Sequence, residues 1–149
     1  MEELWTEFVI KQSMGMSGVC VAQILRATSG ILGVDVVFAS DVDGAEIGDM
    51  PLDRPIPIDV FLNACSAVKQ FDCADIYLLK STNDLGIASL EQFSNYPDAI
   101  RHSCATIRVV DGEYVYFYVR SDKSSLFRGR FDLLAEPIER RLDEFIFPM

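Results

Sequence analysis

Asp41-Val42-Asp43-Gly44 follows the apolar run Val34-Asp35-Val36-Val37-Phe38-Ala39. Two carboxylates at that spacing can hold a divalent metal, or divide nucleophile and acid roles in phosphoryl transfer. A calcium loop would need a third oxygen ligand near position 45, glycine at 46 and a bidentate Glu at 52. The chain has Ala45, Glu46 and Leu52 there. His102 is the one histidine and must serve any Cys–His or Ser–His pair; Cys104 lies two residues on. No C-x-x-C or H-x-x-x-H spacing exists to hold zinc. Met14-Gly15-Met16-Ser17-Gly18 lacks the following Gly-Lys-Ser/Thr of a phosphate loop and reads as a flexible break. No catalytic residue, metal or cofactor is assigned, and the expectation is a protein that is not an enzyme.

The Asp41/Asp43 pair superficially resembles the first motif of the haloacid-dehalogenase phosphatases, and that resemblance implies Asp41 as nucleophile and Asp43 as acid. The chain departs from the pattern at Ala45, where that family carries Thr or Val, and Ala39-Ser40 separate the apolar run from Asp41. A D-x-D that holds the metal of a nucleotide sugar belongs to chains longer than this one. An enzyme with an unrecognised site therefore stays as an alternative reading only.

Charge is more informative. The 149 residues carry 23 acids and 13 Lys and Arg, a net of −10. Such a surface repels both DNA, whose affinity comes from cations displacing counterions, and anionic membranes. Residues 1–100 hold 15 acids and 5 bases, while residues 101–149 hold 8 of each. Within 35–59, Asp35, Asp41, Asp43, Glu46, Asp49, Asp53 and Asp59 face Arg54 alone. Residues 120–130 oppose them with Arg120, Lys123, Arg128 and Arg130 against Asp122. Attraction between the two segments costs least entropy within one chain, so a monomer is expected. The acidic N-terminus lacks the basic start of a secretory signal, and the longest uncharged stretch, residues 12–25, is too short to span a bilayer. Cys20, Cys65, Cys73 and Cys104 are spread through apolar surroundings, as reduced core thiols are, and a cytoplasmic protein is expected.

The elements that position these charges follow from periodicity. Helices are expected over 3–12 and 17–29, the second turning Val19, Cys20, Ile24 and Leu25 to a core and stopping at Gly30. A strand is expected at 34–39 and an Asp-, Gly- and Pro-rich loop at 40–57. Ile58, Phe61, Leu62, Cys65, Val68 and Phe71 make the clearest helical stripe, over 58–71. A strand at 74–80, a turn at 81–84 and a short helix at 89–95 follow. Strands 104–110 and 113–120 then fold about Asp111-Gly112, pairing Val110 with Glu113, Val109 with Tyr114 and Arg108 with Val115. Ile138, Leu142, Phe145 and Ile146 predict a last helix over 137–146, with Pro137 at its start. The sum is one α+β domain over 1–149, a mixed β-sheet with a hairpin in its C-terminal half, packed by three to five helices.

On that fold Tyr114, Tyr116 and Tyr118 share one strand face. Either they lie under a helix with hydroxyls at the rim, or they expose an aromatic surface for a protein or for stacked RNA bases. With Asp41, Asp43, Glu46, Asp49 and Asp53 they form the candidate partner-binding set. The expected function is a small acidic module that binds and neutralises a basic protein, as bacterial immunity proteins do with toxins such as nucleases. An accessory subunit of a larger assembly is the other alternative.

Overall fold

Along residues 5–11, side chains alternate between two apolar environments: Phe8 and Ile10 enter one core, Trp5 the other. That period of two makes the run a strand, correcting the helix expected over 3–12. The computed structural model describes residues 3–11, 16–80 and 96–147. Its elements are β1 (Trp5–Lys11), α1 (Gly18–Leu32), β2 (Val36–Ala45), β3 (Pro55–Pro57), α2 (Ile58–Ser66), β4 (Gln70–Leu79), α3 (Tyr96–His102), β5 (Ala105–Val110), β6 (Tyr114–Arg120) and β7 (Ile138–Arg140). Two 3-10 segments, Ser121–Phe127 and Leu142–Glu144, complete the elements of the described residues. The turn expected at 81–84 and the helix expected at 89–95 lie outside the described residues.

The seven strands form one sheet in the order β3-β2-β4-β5-β6-β1-β7. Every pairing is antiparallel, where a mixed sheet was expected. The helices connect strands without making parallel neighbours: α1 leads from β1 to β2, four places apart, and α3 lies between the antiparallel neighbours β4 and β5.

α1 forms where its periodicity places it but runs past the expected stop at Gly30. Ser17 caps it by accepting from Cys20 N–H at 3.3 Å, and Gly33, at φ 67°, ends it with its N–H on Ser29 O. It buries Val21, Ala22, Ile24 and Leu25, while Val19 faces solvent, which shifts the expected apolar face by a fraction of a turn. Gly18 lets α1 approach α2, since a Cβ there would stand 1.7 Å from Cys65 O. α2 stops at Ser66, short of the expected 71. Val68 and Phe71 are still buried, but from the chain turning back into β4.

Three further expectations change. β2 continues through Asp41-Val42-Asp43 to Ala45, so the loop expected over 40–57 shrinks to the segment before β3. Residues 137–146 form β7 and a 3-10 turn, not a helix, because Arg141 N–H and Nε both bond Glu144 Oε1 at 3.1 Å and close the turn early. Asp111 and Gly112 are left-handed (φ 55° and 64°), and Glu113 N–H closes the turn on Val110 O at 3.2 Å. Beyond it, however, Val110 pairs with Tyr114, Val109 with Val115 and Arg108 with Tyr116. Glu113 is thus one extra residue, and the ladder is slipped by one from expectation. Because opposed residues share a face, this slip puts Arg108 beside the tyrosines.

The sheet is covered on both sides. One core joins Phe8, Ile76, Ile107 and Phe117 to Leu25 and Phe61 of the helices. The other joins Trp5, Phe38, Tyr77 and Tyr118 to Ile100 of α3 and to Leu142 and Phe145 of the C-terminal segment.

Candidate functional site: an unpaired acidic end and two buried polar pairs

The end of β2 is irregular. Its ladder with β4 pairs Ser40 with Asp75 and then Asp43 with Cys73, with register shifts on both sides of Asp43. Such bulges bend a strand and re-aim its side chains. Asp41, Glu46 and Asp53 all adopt left-handed backbone (φ 53°, 58° and 61°). Aspartate tolerates this region better than most residues because its short polar side chain bonds locally. The segment is tied down by its backbone. Asp53 N–H donates to Ala39 O at 2.8 Å, Lys69 N–H to Ala45 O at 3.1 Å, and Cys73 Sγ–H to Asp41 O at 3.1 Å. Asp41, Asp43, Glu46, Asp49 and Asp53 are all exposed. Among the described residues no ion pair reaches any of the five.

Arg120, the first cation of the expected basic segment, lies elsewhere. Val36 pairs with Leu79, Leu78 with Ala105, and Ala105 with Val119, so Arg120 belongs to the end of the sheet opposite Asp43 and Cys73. At about 3.3 Å per residue along β4, the ends are roughly 20–25 Å apart. That exceeds the Debye length of about 8 Å at physiological salt, so the acids and Arg120 do not neutralise one another as expected. Three arginines at that end are paired locally: Arg101 Nη1 with Asp98 at 2.7 Å, Arg120 Nε with Glu3 at 2.5 Å, and Arg141 Nε with Glu144 at 3.1 Å.

A hollow of about 170 Å³ opens beside the acids, lined by Asp41, Cys73, Asp75, Arg108, Val110 and Asp111. Its floor is a buried ion pair, Arg108 Nε donating to Asp75 Oδ1 at 2.8 Å. Burial raises the Asp75 carboxyl above its ordinary range, Arg108 pulls it back, and the neighbouring Asp41 raises it further. Burial also raises the Cys73 thiol, with Asp43 adding to the effect.

The tyrosine stripe is graded. Tyr114 is exposed and Tyr116 half-buried, but Tyr118 has no accessible surface. Its hydroxyl donates to Glu7 Oε2 at 2.6 Å, and its ring packs on Phe145 and Phe147 at centroid distances of 5.6 and 5.5 Å. Tyr118 therefore offers nothing to a partner, which corrects its place in the expected binding set. The cover is the C-terminal segment, not a helix. Phe147 also lies over the Arg108 guanidinium at 5.9 Å. His102 Nδ1 is 2.8 Å from Asp98 O of its own helix. The four cysteines are free thiols.

Sequence reasoning missed Glu7, Asp75, Arg108, Phe145 and Phe147. One signal was present for the first three: each is a lone charge inside a run of β-formers, Trp5–Ile10, Ala74–Leu79 and Ala105–Val110. A charge so placed either faces water or has a cross-strand partner.

No family model matches this chain, and no curated protein or solved structure matches it. Among the described residues, no helix is long and apolar enough to cross a membrane.

Proposed function

We propose that this protein is a binding module whose acidic end docks and neutralises a basic protein partner, in the manner of bacterial toxin-immunity proteins. The observation that supports this most is the set of five exposed acids without cation partners, carried on backbone-anchored structure. Uncompensated carboxylates there make a negative field that steers a basic surface, and the anchored ladder holds them in place. A toxin that acts on an anionic substrate needs a basic cleft, and this end competes with the substrate for it. The Asp41–Asp75 hollow gives an enzyme reading a foothold. Binding is favoured over it because Asp75 is engaged by Arg108, and the five acids carry no comparable engagement.

The test is association with a basic protein encoded beside its gene, measured over a salt series for the native chain and for Asp43→Asn/Glu46→Gln/Asp49→Asn. The variant should associate at least about tenfold more slowly at low salt, and its salt dependence should flatten, since rim charges act mainly on the on-rate. An unchanged on-rate and salt slope in a folded variant would overturn the proposal. Loss of binding on Tyr116→Ala instead would move the interface to the sheet face.

A further inference from the structure

At the other end of the sheet a second hollow, of about 150 Å³, lies between the end of α1 and the 3-10 segment that follows β6. Its apolar wall is Ile31, Leu32 and Leu126, and three cations, Lys80, Arg120 and Lys123, stand around it. No acid lines it among the described residues, in a chain whose net charge is −10. Lys80 and Lys123 differ from Arg101 and Arg141 nearby, which are paired. Neither Lys80 nor Lys123 has an ion-pair partner among the described residues. Arg120 is held by one edge only: its Nε is against Glu3, and its guanidinium carbon is 5.4 Å from the centre of the Trp5 ring. Its two terminal nitrogens have no partner among the described residues. The guanidinium is thus oriented while part of its donor fork stays available, which suits a carboxylate.

Like charges gathered around a hollow repel, and an anion between them relieves that repulsion. The C-terminal end of α1 contributes the opposite sign, about half an elementary charge, against a net of two positive ones once Glu3 is set against Arg120. Leu126 leaves nearly half of its surface in water at the rim, so an apolar group on the ligand would cover it. At ~30 Å³ per water the hollow displaces about five waters, which limits the ligand to a short chain or a single ring.

We infer that this hollow binds a small carboxylate with a short apolar body, the carboxylate held by Lys80, Arg120 and Lys123 and the body resting on Ile31, Leu32 and Leu126. The site is independent of the acidic end and stands whether or not a basic partner docks there.

Titration of the full chain with benzoate and with hexanoate, followed by amide chemical shifts, tests it. Benzyl alcohol, acetate and inorganic phosphate serve as comparison ligands. Saturable shifts are expected at Leu32, Arg120, Lys123 and Leu126, with a Kd on the order of millimolar for so few atoms. Lys80→Gln/Lys123→Gln, at exposed positions, should keep the thermal midpoint and weaken benzoate about tenfold or more. Leu126→Ser should bring benzoate down to the affinity of acetate. Shifts that never saturate would overturn the inference. So would benzyl alcohol binding as well as benzoate, or phosphate or acetate matching it in the native chain, which would mean a diffuse positive surface only.

Discussion

The two faces of the sheet are built on different principles. The face under α1 and α2 is apolar throughout its centre, with Phe8, Ile76, Ile107 and Phe117 meeting Leu25 and Phe61. The face under α3 and the C-terminal segment carries two buried pairs with a charged member, Asp75–Arg108 and Glu7–Tyr118, among Trp5, Tyr77 and Phe145. Burial on the first face is favourable residue by residue, at about 25 cal/mol per Å². On the second, each polar group is tolerable only while its partner is present. The first face tolerates conservative change, and the second does not tolerate half a change.

The largest effects test this directly. Phe117→Ala on the apolar face should cost about 3–5 kcal/mol in denaturant unfolding, since it opens a cavity among Phe8, Phe127 and Phe131. Arg108→Met should cost about as much, for another reason: the Asp75 carboxyl is left buried without its partner. A second substitution separates the causes. Asp75→Leu added to Arg108→Met should recover most of the loss, because an apolar pair of similar volume replaces a buried ion pair with little cost. No single polar-to-apolar change should rescue Phe117→Ala. If the double variant were no more stable than Arg108→Met alone, the proposed difference between the faces would be wrong.

One pH effect belongs to the apolar face. Burial pushes the Cys65 thiol from an ordinary 9.0 up to about 12. The folded chain then keeps this proton over a range in which the unfolded chain has lost it. The stabilisation is complete below about pH 9 and is lost as pH rises towards 12, at about 1.4 kcal/mol per unit. Urea midpoints measured between pH 8 and 11 should fall more steeply for the native chain than for Cys65→Val. Parallel slopes would show that the thiol ionises freely in the folded state.

The same contrast explains what could be read from the chain in advance. α1 is legible from its apolar spacing, although its stop is Gly33 and not the nearer Gly30, and the start of α2 from a stripe that points to a purely apolar core. The second face defeated periodicity. Ile138, Leu142, Phe145 and Ile146 repeat like a helix, yet Ile146 is 87% exposed and the segment is an edge strand followed by a 3-10 turn. The helix expected over 3–12 passes over the alternation in Trp5–Lys11, because a charge at Glu7 reads as a solvent position until its partner is known. That partner is 111 residues away, and the partner of Asp75 is 33 away. The one-residue slip after Asp111-Gly112 mattered most, since it decides whether Arg108 lies with the tyrosines or with the apolar core. The turn signal located the reversal but not the extra Glu113. The acids of 41–53 were recognisable as exposed. Their separation from Arg120 was not, because it depends on strand order across the whole sheet.

The smallest predicted effect isolates one hydrogen bond on the polar face. Tyr118→Phe removes only the hydroxyl, and the ring keeps its contacts with Phe145 and Phe147. Glu7 Oε2 then loses the donor 2.6 Å away in a buried setting. An acceptor left unsatisfied there should cost about 1–3 kcal/mol, more than the ~1 kcal/mol net worth of an average hydrogen bond. Glu7→Gln keeps an acceptor of nearly the same shape and removes the charge, so on its own it should cost less. The two changes share one contact and should not add; a cycle of both should give a coupling energy of about 0.5–3 kcal/mol. The coupling should persist in 1 M salt, because the pair is buried and poorly screened. A coupling near zero would mean that Glu7 is satisfied by water under the C-terminal segment. The second face would then be an apolar core with a wet margin, and its difference from the first would reduce to the Asp75–Arg108 pair.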